Sequence, residues 1–507
     1  MNENRNRAEV EASPADASDE GGRSSRSLFW TVFPSIMLPM FLAVADQTIV
    51  ATALPAIASS LGDVERLSWV VVSYLIANTI AAPVYGRLGD SFGRRRMMLA
   101  ALVVFVVGSV LCALAPTIEV LTATRVLQGF GGGGLMTLSQ ALVGEAIPPR
   151  ERGRYQGYLA GVSVASSTFG PVAGGYLTQA FGWRSIFLIN VPLGLVAVLL
   201  VLRLEKLPGE RRRTTFDAPG LVLFMMFVSP IILALEQSQR MDLRTLPMVL
   251  GLAGFGLVAL LALIWQERHS SSPLIPPVLF REPSVWRADG LAACHGAALV
   301  SLITFLPIYL RAVRGASPAE TGLLLLPLMF GIGIGSLITG QLVTRTGRTA
   351  VFPACGYVVA TAVLLFLAFF APRLSVWQLP LVFGGAALFM GTVMGVVQVT
   401  VQAVAGQRML GTGAAMVQFS RSVGAAFGTA AVAAVLFSVL AAGSGETASL
   451  FATMIDKGPE AIAALTPAQQ AVAQSEIGQA FRTAFAAIAA FTAIGAWLAW
   501  SMPLRRL

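Results

Sequence analysis

Two ionisable side chains stand inside long apolar runs. Asp46 interrupts FLAVADQTIV (41–50), and Arg125 interrupts LTATRVLQG (121–129). An ionised group at the centre of a membrane helix costs about 2.5–3.5 kcal/mol on insertion scales, so it is kept for work or for a partner. Asp46 is about 9 residues from the outer end of its run and Arg125 about 7 from the start of its own; at 1.5 Å per residue both lie about 10–14 Å from the same edge. An ion pair at that depth offsets part of the insertion cost and holds Asp46 ionised. If helix movement parted the two, a desolvated carboxylate would take up a proton. The residues alone leave two readings open, a proton switch worked by separation and a static pair that fastens two helices.

Other polar groups recur at helical spacing. Tyr74 and Asn78 are four apart, as are Gln398 and Gln402, so each pair shares a face. With Gln128, three residues beyond Arg125, and Gln418, three before the second intramembrane arginine, Arg421, they are the candidate wall of a substrate cavity. Helix–helix hydrogen bonding explains such pairs as well as ligand contact does. Asp289, near the start of another apolar run, is a third candidate for proton coupling if it lines an inner vestibule; a place at the membrane interface is the other reading. No nucleophile–base or metal-ligand constellation emerges, so neither an enzyme nor a metal site is expected, and no cofactor. GFGGGG (129–134) satisfies a phosphate-loop pattern in letters only: no strand precedes it, and its glycines suit close helix packing.

The elements that position these groups follow from composition. Of 507 residues, 55% are hydrophobic and 12% charged, against roughly 25% charged in soluble domains. Fourteen apolar runs between residues 29 and 502 are each long enough to cross a hydrocarbon core of about 30 Å as a helix. Of the 35 Lys and Arg residues, about 24 fall in loops on one side and about 9 on the other, the asymmetry that marks the cytoplasmic face. The net charge of +9 therefore reports topology rather than a nucleic-acid surface. An even span count places both termini in the cytoplasm. The polar stretch 1–27 shows no signal-peptide pattern and is expected as a disordered tail. Three cysteines in apolar runs predict no disulfide.

The runs divide into a six-helix bundle at 28–204, a basic cytoplasmic linker at 205–216, an inserted helix pair at 217–266, a second linker at 267–284, and a six-helix bundle at 285–502, with an extracytoplasmic loop at 441–479 and a cytoplasmic tail at 503–507. GRLGDSFGRRR (86–96) after the second run is echoed by GQLVTRTGR (340–348) after the tenth, which points to duplicated halves with substrate bound between them. In the first of these loops, Gly86 and Gly93 permit a tight reversal. Asp90 can pair with Arg94 or Arg95, or accept from a helix amino terminus, a latch of about 1 kcal/mol or more. Gly170, Pro171, Gly174 and Gly175 in span five suit either a bend that gates or plain close packing.

Together these motifs resemble the major facilitator superfamily: GRLGDSFGRRR its loop 2–3 signature, LTATRVLQG its span-four arginine motif, and GPVAGG (170–175) its antiporter motif. DQTIVATALP (46–55) and WRSIFLINVPLG (183–194) are similar to the fourteen-span drug:proton antiporters of the EmrB/QacA type. The resemblance implies an all-α fold of two six-helix bundles with two inserted helices, in the cytoplasmic (inner) membrane. It also implies proton-coupled multidrug efflux of amphipathic, cationic or aromatic compounds by a monomer, and a latch partner near Gly411 and Gly413. It leaves open a periplasmic adaptor and a different cargo: a lipid, a siderophore or an endogenous natural product. Two departures stand out, Ser166 where that antiporter motif usually has Gly, and Thr344 where the first-half loop has Asp90.

Overall fold

The computed structural model describes residues 14–62, 66–204, 217–238, 246–442, 451 and 467–506. They form α-helices throughout. The first half comprises α1 (Pro14–Leu61), α2 (Leu67–Phe92), α3 (Arg94–Leu114), α4 (Ile118–Ala146), α5 (Arg152–Phe181), the short α6 (Ser185–Leu188) and α7 (Asn190–Leu202). A pair follows, α8 (Ala218–Ser238) and α9 (Leu246–His269), then α10 (Pro277–Arg281). The second half comprises α11 (Pro283–Ala312), α12 (Pro318–Thr346), α13 (Val351–Phe370), α14 (Gln378–Met390), α15 (Val393–Ala405), α16 (Leu410–Ala442) and α17 (Pro467–Trp500). Twelve helical stretches among the described residues are long and apolar enough to cross a membrane. Helices α4 and α5 are as long, 29 and 30 residues, but Gly, Ser and Gln dilute their apolar content.

Three expected segments differ or fall outside. Residues 14–27, expected in a disordered tail, continue α1 as helix, while 1–13 and the basic linker 205–216 lie outside the described residues. The expected loop 441–479 is helical from Pro467 onward. The tail at 503–507 is docked: Arg506 bridges Arg348, and Thr349 donates to the carbonyls of Arg505 (3.1 Å) and Leu504 (3.0 Å).

Small residues decide which helices meet. Helix α4 is wedged between α2 and α3 because its glycine run has no side chains there: a Cβ on Gly129 would stand 2.6 Å from the Tyr74 carbonyl, and one on Gly131 2.6 Å from the Phe105 nitrogen. The halves meet where α5 crosses α12 and α2 crosses α16. Helix α8 lies against both α2 and α16, with Phe224 and Phe227 at 5.2 and 6.3 Å from the Phe419 ring. The inserted pair therefore covers a seam between the halves.

A break in the helical ladder places one buried amide. Pro192 cannot donate, and its ring displaces the carbonyl four residues earlier, at Leu188. The expected span 185–204 accordingly divides into α6 and α7 at Ile189, and Asn190 becomes the first residue of α7.

Replacing Gly129 by Val is expected to force α4 off α2 at an overpacking cost of about 1–3 kcal/mol. The thermal midpoint of the detergent-solubilised protein should fall by several degrees. Gly161→Val, at a site with nothing within 4 Å of the new Cβ, should leave it unchanged.

Candidate functional site

Asp46 sits 1% exposed in the first half, enclosed by donors from α4 and α7. Arg125 on α4 approaches its Oδ2 at 2.5 Å, both side chains being 1% exposed. Gln128, one turn further along α4, donates from Nε2 to Oδ1 at 2.8 Å, and Asn190 of α7 donates to the same oxygen at 2.9 Å. The enclosure continues outward. Ser109 on α3 accepts from Gln128 (2.7 Å) and Asn190 (3.3 Å), while the Gln128 carbonyl oxygen accepts from Arg125 at 2.7 Å and from the Cys112 thiol at 3.3 Å. Arg125 also donates to the Val70 carbonyl at 3.3 Å. Its guanidinium lies 4.0 Å from the Tyr74 ring centroid, a cation–π contact that covers it from the α2 side.

The arrangement corrects two expectations and adds two residues. Tyr74 and Gln128, expected on the cavity wall, belong to the Asp46 enclosure. Asn190 falls inside WRSIFLINVPLG (183–194) without being marked there as a partner of Asp46, and Ser109 lies in no motif. Asn190 had a legible signal, an amide two residues before a proline in an apolar run; Ser109 is a small hydroxyl among valines and offered none.

The second constellation lies at the loop between α2 and α3. Asp90 is reached by Arg94 at 2.6 Å, by the backbone N–H groups of Gly411 (2.9 Å) and Thr412 (2.8 Å), and by the Thr412 hydroxyl (2.9 Å). A carboxylate on the first turn of α16 meets unpaired N–H groups and the positive end of the helix dipole. The approach depends on Gly86 and Gly411, since a Cβ on Gly86 would stand 2.6 Å from the Gly411 carbonyl. Gly93 turns the chain at φ +96°, and Arg94 also binds Glu145 at 2.9 Å. Arg95 takes no part in the α16 contact; it donates to the carbonyls of Val201 (3.1 Å) and Leu202 (2.6 Å) at the end of α7. In the second half Thr344 receives the backbone N–H of Arg154 at 3.2 Å, again at a helix amino terminus, that of α5.

The other candidates separate. Gln402 donates to the Gln140 carbonyl at 2.8 Å and joins α15 to α4. Gln398 is buried with its Nε2 lacking a partner. Asn78 and Gln418, from opposite halves, both approach the Met136 sulfur, at 4.0 and 3.9 Å. Asp289 is buried on α11 with neither carboxyl oxygen hydrogen-bonded. Gly170 and Gly174 abut Thr48 and Thr52 of α1, whereas Gly175 meets nothing within 4 Å and Pro171 is exposed. The span-five motif thus packs α5 against α1 just outward of Asp46. Ser166, in place of the usual Gly, turns its hydroxyl back to the Val162 carbonyl at 2.8 Å and fits without displacing α1.

Comparison with known proteins adds independent observations. A model of the Major Facilitator Superfamily matches residues 36–429. An uncharacterised MFS-type transporter of Mycobacterium tuberculosis is 35% identical over 413 residues, 81% of this chain and 60% of that protein, so the match spans well under two thirds of its length. The multidrug transporter protein MdtP of Bacillus subtilis is 29% identical over 83% of this chain and 77% of its own. The acurin A biosynthesis cluster MFS-type transporter of Aspergillus aculeatus is 32% identical over 80% and 75%. In fold, the chain superposes on the human organic anion transporter MFSD10 with a TM-score of 0.64 at 14% identity (92% and 99% covered), and on the proton:xylose symporter XylE with 0.60 at 16% (94% and 96%).

Removing one partner of a buried ion pair leaves an uncompensated charge at about 3–5 kcal/mol. Arg125→Leu should therefore lower folded yield and thermal midpoint sharply, and adding Asp46→Leu to it should recover most of the loss. At the other end, Asp90→Ala should raise maleimide labelling of a cysteine placed at Thr412 several-fold in a cysteine-free background.

Proposed function

Because the chain belongs to the major facilitator superfamily, whose members are transporters rather than enzymes, we propose that it is a proton-coupled efflux antiporter of the fourteen-span drug-exporter type. In this reading it moves amphipathic small molecules out of the cytoplasm by alternating access. Both termini lie in the cytoplasm, with α4 and α5 completing fourteen spans around the twelve more apolar ones. The observation that carries the proposal is the enclosure of Asp46. A carboxylate whose contacts to Arg125 and two amides come from other helices is a candidate proton acceptor coupled to helix positions.

The cycle is set by which contacts are made. Asp90 holds α16 against the basic-loop end of α2, and the α5–α12 crossing is closed by the Thr344 contact, so the cytoplasmic end is shut in this conformation. Opening that end needs α16 to leave Asp90 and the halves to rock. Because Gly170 and Gly174 pack α5 on α1 beside Asp46, rocking of α5 is transmitted to the ion pair. A proton entering from outside neutralises Asp46 and frees Arg125 from it; cargo entering from the cytoplasm favours return of the pair and release of the proton. Asp289, buried on α11 with neither carboxyl oxygen hydrogen-bonded, is the second candidate position for carrying a proton. One proton falling through about 150 mV supplies about 3.5 kcal/mol. At about 1.4 kcal/mol per tenfold, this sustains roughly a 300-fold gradient of an uncharged cargo.

A second reading keeps the mechanism and changes the cargo to an endogenous natural product, a lipid or a siderophore. The similarity to the acurin A cluster transporter favours it. Loss of one metabolite from the medium on gene deletion would select this reading, and dye resistance on expression would select drugs.

Asp46→Asn preserves size and most hydrogen bonding. In reconstituted vesicles it should abolish efflux driven by a proton gradient while leaving folding and cargo binding within a few-fold of wild type. Wild-type coupling in this variant would remove the proposal.

A further inference from the structure

Resting on the exporter reading, we propose that the cargo is an amphipathic organic anion, its negative group held by Arg421 with the amides of Gln418 and Asn78. The resemblance to drug antiporters implies cationic or aromatic cargo, but the charge inside the bundle is of the opposite kind to what a cation requires. Arg421 lies 11 residues beyond Leu410, the first residue of α16. At 1.5 Å per residue that is about 16 Å in, near the middle of a core of about 30 Å. It is only partly buried.

Among the described residues no carboxylate forms an ion pair with this cation. Its guanidinium makes a long hydrogen bond, from Nε to the Gln418 side-chain oxygen at 3.4 Å. The acids on neighbouring helices are engaged elsewhere: Asp46 with Arg125, Asp90 with the α16 amino terminus, Glu145 with Arg94, and Asp217 capping α8 through the Gly220 N–H at 2.8 Å. On α11, His295 is buried and bound to the Tyr357 hydroxyl at 2.9 Å. Asp289, six residues before His295, is buried on α11.

Two further donors converge beside Arg421. Gln418 Nε2 and Asn78 Nδ2 each point at the Met136 thioether, at 3.9 and 4.0 Å. Sulfur is a weak acceptor, so both N–H groups exchange it readily for an oxyanion. Gln418 belongs to the second half and Asn78 to the first. An anion bound here therefore touches both halves, the position from which cargo binding can bias their rocking. A carboxylate, sulfonate or phenolate on an apolar body matches the three donors and the positive charge of Arg421, whereas an ammonium is repelled by that charge.

The electrical consequence gives a test independent of any variant. One proton moving in against one anion moving out displaces two charges in the same sense, a neutral cargo one, and a monocation none. The experiment uses a ring-matched series, naphthalenesulfonate, naphthalenemethanol and naphthylmethyl-trimethylammonium, for equilibrium binding to the purified full chain and for transport in liposomes. We expect the sulfonate to bind about 10- to 100-fold tighter than the ammonium, the range for a hydrogen-bonded charge. Its transport should accelerate under a membrane potential imposed in the cellular sense. Arg421→Gln should lose that preference and leave naphthalenemethanol binding within about two-fold, and Arg421→Lys, which retains the charge for folding, should keep part of it. Tighter ammonium binding, or unchanged sulfonate binding in folded Arg421→Gln, would overturn the anion site while leaving the exporter reading intact. Sulfonate binding that depends on Arg421, without transport under any gradient, would uphold the site and remove the exporter.

Discussion

An ionised carboxylate in a membrane interior has to be met by donors from several helices at once, and the first half of this protein is organised around that requirement. Asp46 on α1 is satisfied by Arg125 and Gln128 on α4 and by Asn190 on α7, with Ser109 of α3 holding both amides. Four helices can converge on one side chain only if their backbones come close. The glycine run of α4 provides this on the sides facing α2 and α3, and Pro192 opens the break that sets Asn190 at the start of α7. A buried ion pair is weak evidence of added stability, because desolvation offsets much of its Coulomb attraction. What the enclosure does provide is one carboxylate whose contacts tie together the positions of α1, α4 and α7.

The loop between α2 and α3 repeats the same chemistry in a looser form. Asp90 is again a carboxylate whose partners come from elsewhere in the chain, here the N–H groups of α16, and Thr344 occupies the related place in the second half with a hydroxyl. One closure therefore carries charge and the other does not, so salt and charge-altering substitutions act on the α2–α16 contact far more than on α5–α12. Between the enclosure and the latch lies the Asn78–Met136–Gln418 contact, where among the described residues no acid pairs with Arg421, whose Nε makes a long hydrogen bond to the Gln418 side-chain oxygen. In the proposed cycle, proton, closure and cargo fall to three separate charged centres, joined through α1, α4, α5 and α16.

Much of this was legible in the residues. Helix positions followed from apolar runs, and the matched depth of Asp46 and Arg125 anticipated their contact, because helical rise converts sequence distance into membrane depth. What depth cannot give is rotation about the helix axis. Tyr74 and Gln128 share faces with cavity candidates but turn toward Asp46, and Gln402 turns toward α4, since neighbouring backbones decide which side of a helix is occupied. Asn190 escaped because its exposure to Asp46 depends on a break in the helix that only packing reveals. The glycines of span five showed a bend or a contact equally well in sequence; the threonines of α1 opposite Gly170 and Gly174 identify the contact.

In the proposed cycle Asp46 is ionised against Arg125 while the cytoplasmic end is closed, and protonated when the halves rock apart. Infrared difference spectra between the two conformations, each fixed by an engineered crosslink at one end, observe the carboxyl directly. A protonated-carboxyl band should arise in the open-inside form and be absent from Asp46→Asn. A spectrum in which that band is missing, or persists unchanged in Asp46→Asn, would contradict the cycle.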